Sequence, residues 1–394
     1  MSERQRFNYN VFFISVLFVW PVVKTFFLNL DGAGRVESVL TLLTIIINGK
    51  HLLKGTAVMK IWIVWVVYNL INLYFKGYHN NEYPFVWWSL TQLACPLVSL
   101  LVSYNCVLYD KDSFIKRVFY LFLFYVFLGA TQMSMTMDTS RMENALGNSY
   151  LNNAIFIIPF LALYAKKYVR WDFKWISLVI VSFLFMIILL SGERKALVGL
   201  MIMLMGVVYA RNSKKNISSL ISLFIVFVIA SLGIEYIADN TLVGERFVSQ
   251  FEDTQYSDSF FLSLMGDRAY MYEDGFLVFL QQPWTGIGLT NFAYNPLNFK
   301  GLRLHTEYMV ELTECGIVGS LLFLVFYLGM LFCLLKMIKS KLVPYESIVL
   351  GSALLSIISI NFTAWTYSYP YYFIVFGMIY AHYNIVFAKI TRLK

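Results

Sequence analysis

Uncharged apolar runs, many of them close to twenty residues long, recur along almost the whole of this 394-residue sequence. A run of about 20 apolar residues spans the hydrocarbon core of a bilayer as α-helix, and in lipid only helices and closed barrels satisfy every backbone polar group. Charged residues make up only 14% of the chain, against about 25% in soluble domains. Hydrophobic residues make up 59%. The sequence therefore predicts an all-α polytopic membrane protein, and excludes a soluble enzyme, a nucleic-acid binder and a secreted disulfide scaffold.

The apolar runs fall at 12–30, 36–47, 57–75, 85–108, 118–135 and 152–165, then at 175–190, 196–210, 217–237, 316–338, 347–365 and 371–388. They predict about 12 transmembrane helices, of which 36–47 and 196–210 are short for a full crossing. Lys24 interrupts the first run and no small-residue cleavage site follows, so that run reads as a retained helix rather than a signal peptide. The net charge of +8 is distributed by loop. With the N-terminus in the cytoplasm, inside segments carry Arg4 and Arg6; Lys50, Lys54 and Lys60; Lys111, Lys116 and Arg117; Lys166, Lys167, Arg170 and Lys174. They continue with Arg211, Lys214 and Lys215; Lys336, Lys339 and Lys341; and Lys389, Arg392 and Lys394. The short outside turns hold two basic residues at most, which is the positive-inside pattern and places both termini in the cytoplasm. Cys95, Cys106, Cys315 and Cys333 lie in or beside apolar runs without metal-ligand spacing, and read as reduced helix residues.

One connection is long. The chain divides into 1–237 with nine spans, an extracytoplasmic loop domain at 238–305, and 306–394 with three further spans; connections of this length are functional or disordered. Phe247, Phe251, Tyr270, Tyr272, Phe276, Trp284 and Phe292 supply aromatic surface that a disordered linker lacks. GDRAYMYEDGFLVFL predicts a short helix with Asp267 as N-cap and Tyr272, Phe276, Phe279 and Leu280 on one face. QQPWTGIG predicts its end at Pro283 and a glycine turn.

Three places carry chemistry. Arg268, in the first turn of that helix, opposes the macrodipole; together with free backbone amides it makes an anion site suited to diphosphate, and the alternative is a surface pair with Glu273 or Asp274. Arg194, in SGERKALVGL, stands in a very short turn between two spans, either at a cavity or snorkelling with Lys195 into the headgroup layer. His305 precedes a helix on which Glu307, Glu311 and Glu314 form an acidic stripe. A histidine near carboxylates at a wet interface suits a general base or a hydrogen bond to a sugar hydroxyl; the alternatives are a structural histidine and a solvated acidic face.

SGERKALVGL, GDRAYMYEDGFLVFLQQPWTGIGLTNF and LHTEYMVELTECGIVG, in this order around one large loop, resemble the signature regions of the bacterial O-antigen ligase and polymerase superfamily. The resemblance implies a glycosyltransferase fold of the C type, a polyprenyl-diphosphate-linked oligosaccharide as donor, an active site on the outer face of the inner membrane, and no cofactor or metal. It maps the family's two arginines to Arg194 and Arg268, its histidine to His305 and the small polar residue after it to Thr306. Glu193 replaces the serine or threonine usual before the first arginine. On this basis Arg194 and Arg268 clamp the leaving diphosphate, and His305 activates or orients the acceptor hydroxyl, with Glu307 or Glu311 as substitute. Trp284, Phe292 and Tyr294 could stack on sugars or pack in the loop. The implied function is repeat-unit polymerase, with O-antigen ligase acting on lipid A core as the alternative and a lipid-linked oligosaccharide flippase as the alternative of another class. The bilayer is a partner, nucleic acid is not, and a chain-length regulator protein remains an open one.

The charge asymmetry predicts sidedness directly. A single cysteine at Ser257, in a cysteine-free background, should react with a membrane-impermeant thiol reagent in intact spheroplasts, while one at Ser213 should not. Labelling at Ser213 alone would invert the topology.

Overall fold

The computed structural model describes residues 1–23, 34–53, 57–80, 84–131, 133–135, 142–144, 150–168, 172–191, 193–211, 268–298 and 301–393. The first helices are α1 (Glu3–Val23), α2 (Gly34–Asn48), α3 (Ala57–Lys76), α4 (Phe85–Trp88) and α5 (Cys95–Ala130), with a π-helical stretch, Ser89–Ala94, joining the last two. A small antiparallel hairpin follows, β1 (Met133–Met135) pairing with β2 (Met142–Asn144). Then come α6 (Tyr150–Ala154), α7 (Ile157–Tyr168), α8 (Asp172–Ser191), α9 (Arg194–Arg211) and α10 (Arg268–Gln281). The chain ends with α11 (Glu307–Ser340), α12 (Pro344–Ile360) and α13 (Pro370–Leu393).

Among the described residues, five helical runs are long and apolar enough to cross a membrane: Glu3–Val23, Ala57–Lys76, Phe85–Ala130, Glu307–Ser340 and Pro370–Ala388. Tyr150–Lys166, Trp175–Ile188 and Pro344–Ile360 are shorter apolar helices. The fold is that of a polytopic helical membrane protein. The span expected at 217–237, the loop at 238–267 and the expected N-cap Asp267 lie outside the described residues.

Element boundaries depart from the hydropathy reading where side chains cap the backbone. α1 begins at Glu3 rather than near Phe12, because Ser2 and Gln5 form a reciprocal capping box: Gln5 N donates to Ser2 Oγ at 3.2 Å and Ser2 N to Gln5 Oε1 at 2.8 Å. The run at 85–108 and the part of the run at 118–135 up to Ala130 belong to one helical stretch that folds back at Asp110, whose φ of −148° and ψ of 88° break the helix, while Met133–Met135, expected in the same span, forms β1 instead. Asp110 Oδ1 then accepts from Ser113 N at 3.0 Å, starting the second arm. The reversal is visible along α13: Tyr371 packs against Phe122 and Tyr125, yet Gly377, fewer than two turns on, lies against Leu100 and Ser103, which an unbroken helix would hold far from Phe122. The helix predicted to run to Trp365 stops at Ile360, where Asn361 turns the chain into an ordered loop.

Polar and small residues join the helices, as expected where lipid removes most of the hydrophobic drive between them. Asn48 Nδ2 donates to Asn10 Oδ1 at 2.8 Å between α2 and α1. Gly199 and Gly206 of α9 sit against Ser356 and Ser352 of α12, so the two helices run antiparallel in close contact. Aromatic residues fill the centre: Phe18, Phe122, Tyr125 and Tyr371 interlock, and Trp62 and Trp65 stack beside Phe326 and Phe373. Cys95, Cys106, Cys315 and Cys333 are free thiols buried in helices, as the sequence implies.

The break in α11 organises the region around α10. Gly316 has φ 66° and ψ −172°, a conformation essentially confined to glycine, and it interrupts the helical ladder. The turn after α10 repairs the gap. Ile287 N and Gly288 N donate to Thr313 O (3.2 Å) and Glu314 O (2.8 Å), while Pro283 O and Trp284 O accept from Ile317 N (2.8 Å) and Val318 N (3.2 Å). The Tyr68 hydroxyl of α3 reaches Cys315 O at 2.8 Å, and Asn72 Nδ2 reaches Thr285 O at 2.7 Å. Gly286, also at positive φ, lies so close to Gly316 that a Cβ on either would overlap the other's backbone.

Gly316→Ala should therefore destabilise the protein by at least about 2 kcal/mol, from backbone strain and collision together. Gly351→Ala, in a helix with open space around the new methyl, should instead stabilise by about 0.4–1 kcal/mol. Thermal unfolding of both variants in detergent checks the opposite signs.

Candidate functional site

The acidic stripe of α11 is not a solvated face. Glu307, Glu311 and Glu314 are 0%, 2% and 5% exposed, and each secures a different element. Glu307 Oε2 accepts from the amides of Thr366 and Tyr367, drawing the 361–369 loop onto the start of α11. Its own amide donates to Asn361 O at 3.0 Å, so the attachment is made from both sides. Glu311 Oε2 accepts from Trp65 Nε1 at 3.0 Å, joining α3. Glu314 uses both oxygens, accepting from Thr290 N at 2.8 Å and Phe292 N at 3.1 Å. Thr290 is held in the left-handed region, φ 68°, so that its amide faces this carboxylate. Arg303 is near enough for its charge to act on Glu314.

His305 stands just outside this framework and is exposed. Its ring lies parallel to that of Trp365, 4° between planes and 5.9 Å between centroids. Trp365 precedes the two amides that Glu307 holds, so the carboxylate fixes the surface against which the histidine rests. Thr306 caps α11, its Oγ1 accepting from Met309 N at 3.1 Å, and thereby sets where the chain turns out of the helix to present His305. In the same loop, burial, with the charges of Glu314 and Glu307 nearby, pushes the Tyr367 hydroxyl well above its ordinary pKa and keeps it protonated.

α10 approaches from the other side. His305 shares a shallow depression with Met271, Tyr272, Leu304, Thr306 and Met309. The packed face of α10 is Met271, Gly275 and Val278, not the expected face of Tyr272, Phe276, Phe279 and Leu280. The reason is clearance. Gly275 lets α10 close onto Met309, Leu304 and Thr313, with Thr313 Oγ1 donating to Gly275 O at 3.0 Å, and bulky side chains on that face would hold the helices apart. The predicted stop after α10 stands, with positive φ at Gly286 and Gly288.

Arg268 opens α10 and Arg194 opens α9; their side chains lie outside the described residues. The backbone places both starts near His305's end of the bundle. α9 meets Ser352 through Gly206 and Ser356 and Ile360 through Gly199, so its N-terminus points toward Asn361, whose carbonyl holds Glu307. The opposite end gathers the basic residues: Lys166 pairs with Glu346 at 2.9 Å, Lys341 caps α11, and α9 ends at Arg211. Beside Arg194, Glu193 pairs with Lys195 at 3.7 Å. Trp284 is highly exposed, whereas Tyr294 is partly covered and donates its hydroxyl to Asn80 Oδ1 at 3.3 Å. Among the described residues no three His, Cys, Asp or Glu side chains converge to hold a metal ion.

Sequence reasoning did not find Trp365, Thr366 or Tyr367, because TAWTYSYP reads as the tail of an apolar span. The signal available was Asn361, a helix-ending residue, followed by polar hydroxyls and Pro370.

Residues 178–324 match the family model described as O-antigen ligase, a stretch that contains all three signature segments, and the match supports membership of the O-antigen ligase and polymerase superfamily. No curated protein matches the chain.

Replacing Glu314 tests the framework apart from any chemistry. Glu314→Ala leaves two buried amides without an acceptor, and each should cost about 1–3 kcal/mol. Glu273→Ala, on an exposed part of α10, should stay within about 0.5 kcal/mol of the parent. Thermal melts in detergent compare the two.

Proposed function

We propose that this membrane protein, which carries an O-antigen ligase family domain, is a polysaccharide polymerase. It transfers a growing glycan from polyprenyl diphosphate to the terminal sugar of a lipid-linked repeat unit, on the extracytoplasmic side of the bacterial inner membrane. The observation that carries this reading is the convergence of the three signature segments at one end of the bundle, opposite the end that gathers Lys166, Arg211 and Lys341. Positive charge marks the cytoplasmic side, so the convergent end faces out.

The chemistry follows from what the bond requires. The acceptor hydroxyl attacks the anomeric carbon, the carbon–oxygen bond to diphosphate breaks, the bonding pair leaves with the diphosphate, and the hydroxyl proton passes to a base. Arg268 and Arg194, each at a helix N-terminus, stabilise the developing charge with guanidinium and backbone amides. His305 receives or orients the proton. Glu307 and Glu311, the substitutes suggested by the sequence, are buried and each gives one oxygen to a backbone or indole donor, so the exposed His305 serves as the base and Glu307 takes a positioning role through Trp365. A lipid diphosphate is already a good leaving group, so no metal is required in this scheme. The ligase reading shares these residues and differs only in the acceptor; the polymerase is preferred because such sequences form the larger and more varied class.

Deleting the gene and complementing it tests both the reaction and the clamp. The deletion should leave core bearing a single repeat unit; naked core with lipid-linked polymer retained would indicate a ligase, and loss of all outward-facing intermediates a flippase. Arg268→Lys keeps the charge but loses the planar fork, so activity should fall about a hundredfold to a thousandfold at wild-type membrane abundance. Arg246→Ala, outside the signature segments, should restore polymer. Near-normal polymer from Arg268→Lys would remove the clamp from the mechanism.

A further inference from the structure

α10 divides along its length as well as across it. Its N-terminal half reads Arg-Ala-Tyr-Met-Tyr-Glu-Asp and its C-terminal half Gly-Phe-Leu-Val-Phe-Leu-Gln. With Met271, Gly275 and Val278 committed to α11, the C-terminal half turns Phe276, Leu277 and Leu280 outward, 46–56% exposed, and Trp284 follows at 68%. Four large apolar side chains in one patch are what a water-facing surface avoids.

The register with α11 fixes the depth of this patch. Gly275 lies beside Thr313, and Pro283 and Trp284 bond Ile317 and Val318, so the two helices descend side by side in the same direction. From Val318 onward α11 exposes an apolar stripe that includes Leu321, Leu324 and Leu328, the lipid-facing side of a spanning helix. Counting about 20 residues back from Lys336 to cover the hydrocarbon core reaches Gly316. Trp284 is therefore level with the hydrocarbon boundary, and Phe276 to Leu280 occupy the layer just above it. α3 marks the same level independently, since it ends at Lys76, whose ammonium bonds Gln282 Oε1 at 2.6 Å.

We propose that the C-terminal half of α10 and Trp284 form a membrane-interface anchor, with Phe276, Leu277, Leu280 and Trp284 immersed among lipid headgroups and upper acyl chains. The patch lies just above the level at which the exposed apolar stripe of α11 begins, and tryptophan at this depth is the side chain that interfaces favour. Lipid thus takes the place at Trp284 that the sequence had offered to a sugar face. Glu273, on the same outward side but nearer the N-terminus, stands in water. The anchor goes beyond the glycosyl-transfer reading and holds for either acceptor.

A nitroxide placed on single cysteines replacing Leu277, Leu280 or Glu273 tests the anchor in the full-length protein in lipid nanodiscs. The native cysteines are buried, and the unsubstituted protein taken through the same labelling is the blank. At positions 277 and 280 collisions with oxygen should exceed those with a water-soluble nickel chelate several-fold, with the order reversed at 273. Both leucines face outward, so if one variant fails to fold the other reads the same surface. Preferential nickel access at 277 and 280 would place the face in water. Shielding from both reagents would mean a protein partner or a second copy covers it. Either result overturns the anchor.

Discussion

A spanning helix that breaks at the edge of a bilayer leaves carbonyls on one side and amides on the other, in surroundings where unpaired backbone groups are costly. The packing of α10 and α3 against α11 depends on how α11 resolves this at Gly316. The chain from Pro283 to Gly288 supplies two amides and two carbonyls to the broken ends, and Tyr68 and Asn72 of α3 complete the set. The repair is reciprocal, because the turn after α10 satisfies its own backbone through the same bonds. Neither element has this shape without the other, which is why two glycines at positive φ, Gly286 and Gly316, face each other at the crossing.

The acidic residues extend that arrangement outward. Spaced at i, i+4 and i+7, Glu307, Glu311 and Glu314 reach three different neighbours, Glu307 and Glu311 through one oxygen each and Glu314 through both, accepting from backbone or indole N–H groups. The consequence for the site is indirect. Glu307 holds the loop that carries Trp365, Trp365 lies against His305, and Thr306 sets where the chain leaves the helix. His305, the exposed group, is thus supported by buried ones. The interface anchor proposed for α10 fits this picture, since a helix bonded to α11 on one side and immersed in lipid on the other keeps the start of α10 at a constant height relative to His305.

What the sequence determined by itself is the helical, membrane-embedded class, the order of the three signature segments and the ends of several elements. These follow from local or nearly local physics. An apolar run long enough to span lipid has few alternatives to helix, Pro283 with two following glycines stops α10 wherever it is placed, and the Ser2–Gln5 cap acts within one turn. Only the tertiary structure decided which way the side chains face. Tyr272, Phe276, Phe279 and Leu280 form the more apolar side of α10 by periodicity, yet the helix packs through Met271, Gly275 and Val278, because close approach to α11 needs small volume and lipid accepts the large residues left outside. The acidic stripe reads as solvated for the same reason: its partners, Trp65, Thr290, Phe292, Thr366 and Tyr367, come from distant parts of the chain, and no local rule reveals a carboxylate's hydrogen-bond donors before the fold brings them within reach.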